Sequence, residues 1–256
     1  MASPTDGLAP IEVQVAPDES VLAAVAAARL VTSLVDAQAR YGSASVALAG
    51  GGVGIKMLAA VAASPARHAL DWSRVDVWWS DERFVSADDD ERNEKQAREA
   101  LLDHVPVDPA RIHPMPALDG PDGHDIDAAA ARYADTLAAA APDGEVVPRL
   151  DVLLLGMGPE GHTASMFPRS SAVGEQQRMV IGVVECPKPP PLRISLTRPA
   201  IAAAEQVWLI AAGDAKAEAV ASAASGADPH DLPVASARGR LRTLWLLDQA
   251  AASRLH

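Results

Sequence analysis

A chain of 256 residues, 49% hydrophobic and 22% charged, has the composition of a soluble globular protein and the length of one large domain or two small ones. Its formal net charge of -12 argues against a nucleic-acid or anionic-membrane partner, because both are bound through excess Lys and Arg, yet a few clustered cations can still seat a small anion. The single cysteine, Cys186, rules out an internal disulfide and makes a reducing compartment, the cytoplasm, the simplest expectation.

Residues 1–6, Met-Ala-Ser-Pro-Thr-Asp, lack the basic-then-apolar profile of a signal peptide, and no stretch approaches the roughly 18 unbroken apolar residues of a membrane span. A strand is expected at 11–15, after which Pro17-Asp-Glu-Ser opens a helix with Leu22, Val25, Ala28, Val31 and Val35 about one turn apart. The apolar run 21–34 inside it, interrupted by Arg29 and Thr32, reads as a core helix. A second strand at 45–49 runs into Gly50-Gly51-Gly52, and a third at 75–79 ends in the charged Asp81-Glu82-Arg83. A polar helix is expected from about 90 to 103, and the alanine run 128–131 begins another. The strongest strand signal is 150–155, whose unbroken apolar stretch from Val152 suits a strand covered on both faces; it ends at Gly156. Further strands are expected at 178–184, 192–196, 206–211 and 241–247, with a helix from 214 to about 224. Segments 138–148 and 225–233 read as loops, and neither resembles a flexible tether.

This alternation predicts an α/β fold with a mainly parallel sheet, as a single domain over residues 1–256. In open sheets of that kind ligands bind beyond the carboxyl ends of the strands, so the residues after Ala49, Trp79 and Leu155 are expected to converge on one crevice.

The sharpest segment is Gly156-Met-Gly158-Pro-Glu160-Gly161-His162-Thr-Ala-Ser-Met-Phe-Pro168. Its glycines let backbone approach a ligand, and its histidine is the side chain best suited to exchange protons near neutral pH. Three readings stand side by side: a satisfied structural histidine, a G-x-G-x-x-G dinucleotide loop, or an acid/base histidine in a sugar-phosphate site. The dinucleotide reading suffers because Glu160 would set a carboxylate beside the pyrophosphate and Pro159 removes a backbone donor. Elsewhere there is no G-x-S-x-G elbow, H-E-x-x-H, paired C-x-x-C or G-x-x-x-x-G-K-[S/T] loop. The remaining histidines, His68, His104, His113, His124, His230 and His256, lack ligand spacing.

The segment from Gly156 to Pro168 resembles the G-x-G-x-[D/E]-G-H-T-A-S-x-F-P signature of the 6-phosphogluconolactonase family. The likeness continues through Ala49-Gly-Gly-Gly-Val-Gly54, Ser80-Asp-Glu-Arg83 with Asn93, Pro187-Lys-Pro-Pro190 with Arg193, Gly213 with Lys216, Leu232-Pro233, and Trp245 with Asp248. The related glucosamine-6-phosphate deaminases usually carry G-H-I-A-F-N-E-P at the histidine, which favours the lactonase side. The resemblance implies a Rossmann-like mainly parallel sheet flanked by helices, and neither cofactor nor metal. It implies hydrolysis of 6-phospho-D-glucono-1,5-lactone to 6-phospho-D-gluconate in the oxidative pentose phosphate pathway, the phosphorylated lactone being the one small-molecule partner expected. No nucleic acid, membrane or obligate protein partner is evident.

On that resemblance His162 is the general base and then acid, with Glu160 orienting the imidazole and favouring its protonated form, and Arg83 holding the oxyanion. The N–H groups of Gly50, Gly51 and Gly52 and the backbone at Gly158 face the substrate, Asp81 accepts from sugar hydroxyls, and Asn93 shapes the site. Lys188, presented by stiff prolines, Arg193 with Arg198 nearby in sequence, and Lys216 supply the cations for phosphate. Read without the resemblance, Gly50 to Gly52 is a helix-entry turn, residues 81–83 a solvated charge cluster, Asn93 an exposed helix residue and Lys216 a surface lysine. The chain departs from the family's usual S-G-G-S-T-P at Gly52 and Val53, where side-chain hydroxyls are lost. Two alternatives remain open: an isomerising deaminase of an amino-sugar phosphate, and a non-catalytic sugar-phosphate sensor. The sensor lacks room for a helix-turn-helix in the about ten residues before the first strand.

Overall fold

The computed structural model describes residues 9–184 and 186–255. The signal-peptide reading of residues 1–6 and the reading of His256 lie outside the described residues.

Strand β1 (Ile11–Ala16) leads into helix α1 (Glu19–Tyr41), whose start is fixed by Asp18 accepting from Val21 N at 2.9 Å and whose end is Gly42 in the left-handed region at φ 79°. By length and composition α1 could cross a membrane, but it is one-sided. Leu22, Ala23, Ala26, Ala27, Leu30, Val31, Leu34 and Ala37 are buried. The expected stripe is therefore corrected: Ala28 is exposed and Val25 and Val35 only half-buried, because the buried face is centred on the adjacent pairs Leu22-Ala23, Ala26-Ala27 and Leu30-Val31.

Strand β2 (Ala44–Leu48) is buried at every position and delivers the chain to α2 (Gly52–Ala63). After β3 (Val75–Trp79), residues Asp81–Arg83 form a short strand of their own, β4, rather than the tail of β3. Helix α3 (Asn93–Ala100) is shorter than the 90–103 expected, since residues 86–92 close turns of their own and Leu102–His104 is a separate 3-10 turn. Helix α4 (Ile126–Ala139) is capped by Asp125. Strand β5 (Val152–Leu155), the apolar Val-Leu-Leu-Leu, is fully buried, as a strand covered on both faces must be. The short α5 (Ser171–Gly174), β6 (Val180–Val183), β7 (Arg193–Leu196) and α6 (Arg198–Ala202) follow. Strand β8 (Gln206–Ala211), α7 (Ala217–Ala224) after a 3-10 turn at Asp214–Lys216, and β9 (Arg242–Asp248) complete the order.

Six strands make one sheet in the order β1-β9-β8-β5-β2-β3, with every neighbouring pair parallel. The mainly parallel expectation is met. A second sheet, β4-β7-β6, is antiparallel and departs from the single mainly parallel sheet that the alternation predicts. It places Arg83 opposite Arg193 in register and folds the 80s and 190s over the carboxyl edge of the large sheet.

Candidate active site

The segments leaving β2, β3, β5 and β8 border one crevice of about 330 Å³, at the small end of the range of about 300–1,000 Å³ usual for small-molecule sites. Of the residues singled out from the sequence, Gly50, Gly51, Gly52, Asp81, Arg83, Asn93, His162, Lys188, Arg193 and Lys216 all line it. Glu160 and Gly158 stand one layer back, against His162. Arg198 opens α6 and is not part of the lining.

The loop after β5 brings the histidine in. Thr163 Oγ1 donates to Gly156 O at 2.9 Å, and Gly158 N donates to His162 O at 3.2 Å, so the glycines close a tight turn. Gly161 adopts φ 83° and packs on Leu232, where a Cβ would meet Leu232 Cδ1 at 2.1 Å, so any side chain here would be strained and would have to displace Leu232. Ala164 is held at φ 48°, a strained value for a non-glycine residue, at the point where the chain turns to present Ser165.

The imidazole of His162 is mostly buried and stacks on Phe167, with ring centroids 4.4 Å apart and an interplanar angle of 24°. Its Nδ1 lies 2.8 Å from Glu160 Oε1. An ionised carboxylate only accepts, so Nδ1 carries the hydrogen and Nε2 keeps its lone pair. Lys188 Nζ sits 2.8 Å from Glu160 Oε1 and 3.1 Å from Oε2, and only 3.5 Å from His162 Nδ1. Burial would lift the Glu160 carboxyl, but Lys188, a backbone N–H and His162 together hold it below the ordinary carboxylate range. For His162 burial is the largest influence and lowers its pKa below the usual 6.5; Glu160 pulls upward and Lys188 downward. Glu160's own pull is toward the protonated ring, and desolvation outweighs it, so the net shift is downward. A neutral imidazole with a free Nε2 is the form a base needs.

Opposite stands the β4–α3 corner. Arg83 Nη1 donates to Glu91 O at 3.0 Å and to Asn93 Oδ1, while its Nε is buried without a partner among the described residues. Asn93 Nδ2 donates to Asp81 O at 2.9 Å, and Asp81 Oδ2 accepts from Ser165 Oγ at 2.8 Å. Gly50 passes so close that a Cβ there would fall 2.0 Å from Asn93 Oδ1. Gly51, at φ 95°, is the N-cap of α2 and offers no side-chain cap, so the first-turn N–H groups of α2 face the crevice with the positive end of the helix dipole.

The cations are spent differently. Arg193 donates to Pro190 O at 2.8 Å, Pro189 O at 3.1 Å and Lys188 O at 3.4 Å, so it clamps the proline loop that carries Lys188. Lys216 is half-buried and has no carboxylate within ion-pair distance among the described residues. Burial lowers its pKa below the ordinary lysine value, with Glu19 and Asp248 opposing. Among the described residues no three His, Cys, Asp or Glu side chains are grouped to hold a metal ion. Sequence pattern gives Phe167 and Ser165 no role and shows Glu82 only as part of the 81–83 charge cluster, because the aromatic stack and the serine contact join residues whose proximity only the folded chain creates.

A family model described as glucosamine-6-phosphate isomerases/6-phosphogluconolactonase matches residues 17–245. The 6-phosphogluconolactonase of Streptomyces coelicolor is 60% identical over 240 residues, covering 93% of this chain and 92% of that protein. That of Mycobacterium tuberculosis is 51% identical over 243 residues, covering 95% and 98%. The solved 6-phosphogluconolactonase of Trypanosoma brucei is similar at a TM-score of 0.80 and 27% identity, with 97% of this chain and 100% of that one covered. The chain belongs to the glucosamine-6-phosphate isomerase/6-phosphogluconolactonase family.

Proposed function

We propose that this chain is a cytoplasmic lactonase that hydrolyses 6-phospho-D-glucono-1,5-lactone to 6-phospho-D-gluconate in the oxidative pentose phosphate pathway, with His162 moving the proton. The observation that carries the reading is the Glu160-held imidazole, Nδ1 at 2.8 Å, at the rim of a cation-lined crevice. Full-length likeness to the lactonases named above supports the substrate class.

Nε2 of His162 takes a proton from water as the water oxygen bonds to the lactone carbonyl carbon. The carbonyl electrons move onto oxygen, where Arg83 and the first N–H groups of α2 stabilise the charge. Collapse of that intermediate breaks the bond to the ring oxygen, which receives the proton back from Nε2. Glu160 keeps the tautomer, and Phe167 holds the plane of the ring. Asp81 keeps one oxygen for sugar hydroxyls beside Ser165. Lys216 and Lys188 take the phosphate, and Arg193 steadies the loop of Lys188. Loss of side-chain hydroxyls at Gly52 and Val53 leaves backbone N–H groups to do the binding there.

Acid release from freshly made 6-phosphogluconolactone, measured against spontaneous opening, tests the proposal. A rate no faster than the blank contradicts it, and ammonia release from glucosamine 6-phosphate would establish the deaminase alternative instead.

A further inference from the structure

Glu82 stands between Asp81 and Arg83 in sequence, but it does not line the crevice and is fully buried. Its Oε1 accepts from Arg83 N and Asn93 N, both at 2.7 Å, and its Oε2 accepts from Glu94 N at 2.8 Å. One carboxylate therefore joins β4 to the first turn of α3, whose N-cap residue Arg92 supplies no side-chain cap. The crevice residues hang from this junction. Arg83 Nη1 donates to Asn93 Oδ1, Asn93 Nδ2 donates to Asp81 O at 2.9 Å, and Gly50 blocks Asn93 from the far side.

A simple helix cap does not call for glutamate here. A serine or aspartate reaches the N–H groups of its own turn, whereas this side chain spans donors on two segments. Burying it is also costly, since an enclosed carboxylate loses hydration that N–H donors replace only in part. The charged and titratable groups around it are Asp81 and Arg83 on its own strand, Arg92 at the N-cap of α3, Glu94 on α3 and the phenol of Tyr133 on α4.

We propose that Glu82, on the lactonase reading above, is a positioning residue: its ionised carboxylate ties β4 to α3 and so sets the Arg83 guanidinium at the reacting carbonyl. Burial pushes the Glu82 carboxyl up to about 7, against the pull of Arg92 and the three N–H donors. Protonation turns one oxygen from acceptor into donor, so the junction loosens as pH falls through that value.

The test compares the full-length wild type, Glu82→Gln, Arg83→Lys and the double variant by initial rates of acid release across pH, with spontaneous opening subtracted and thermal melting recorded for each. Glutamine mimics the protonated acid and fixes it. Glu82→Gln is expected to lower kcat on the alkaline side by about 10- to 100-fold, with KM near wild type, because Arg83 is displaced. The wild type is expected to show a step in kcat as pH falls through about 7, and Glu82→Gln to lack it. The double variant should lose no more than Arg83→Lys alone, since Glu82 acts through Arg83. A folded Glu82→Gln with wild-type kcat and pH profile overturns the inference, as do losses that multiply in the double variant. Glu82→Asp, which keeps the charge but is one methylene short, is the second variant if the glutamine protein does not fold; lowered kcat with the step retained supports the inference, and wild-type kcat overturns it. If the wild type releases no acid, the lactonase reading itself has failed, before any variant is compared.

Discussion

Gly158→Ala isolates the placement of the imidazole without touching a titratable group. A Cβ at this position would lie 2.3 Å from His162 Nδ1 and 2.5 Å from Glu160 Oε2, where ordinary contact begins at 3.4 Å. The backbone at Gly158 is not in the left-handed region, so the alanine itself is tolerated and the ring and carboxylate must give way by about 1 Å. A displacement of that size from the reacting geometry costs on the order of 10²-fold in rate, about 3 kcal/mol of barrier. Initial rates of lactone opening should therefore show kcat down about 10²-fold with a melting temperature close to wild type. Gly156→Ala is the control in the same loop: its Cβ would meet nothing nearer than Gly50 O at 3.9 Å, so kcat should stay near the wild-type value. A folded Gly158→Ala protein with wild-type kcat refutes the geometric argument. Equal losses in both variants place the sensitivity in the loop backbone rather than in the ring.

Neutral His162 is the base, so kcat/KM falls as pH drops through its pKa, which lies below the usual 6.5. Glu160→Gln removes a pull toward the protonated ring and should move this lower acid step to more acidic pH. Lys188→Ala removes a neighbouring cation and should move it the opposite way; pH–rate profiles shifted in one direction by both substitutions contradict the electrostatic reading. Lys216→Ala removes a cation engaged by no carboxylate among the described residues and should raise KM about 10- to 100-fold, the worth of a charge-assisted hydrogen bond, with kcat little changed.

Much of the fold can be read from local chemistry. Asp18 at the head of α1, the unbroken apolar residues of β5 and the glycine block after β2 each carry one dominant physical signal, and each element lies where that signal puts it. The antiparallel sheet escapes because Asp81–Arg83 is too short and too charged to show alternation; its pairing is dictated by β7, more than a hundred residues away. The length of α3 is misread for a related reason. Its start is set by Glu82 taking the N–H groups of Asn93 and Glu94, a contact between segments that polarity alone does not reveal. At the site, glycine spacing and the histidine place the crevice, since the glycines act through local backbone conformation and the histidine sits in the same short turn. Which cation is committed to which acceptor is a matter of side-chain reach: Lys188 to Glu160, Arg193 to three carbonyls, Lys216 to neither. The same holds for His162, where burial reverses the direction expected from Glu160 alone.

The most direct test is turnover by His162→Ala set beside its affinity for 6-phosphogluconate, measured by calorimetry on the same preparation. Loss of general base and acid catalysis should lower kcat by about 10²- to 10⁴-fold while product affinity stays close to wild type, because the phosphate cations are untouched. Wild-type turnover in that protein would contradict the central claim that this imidazole moves the proton.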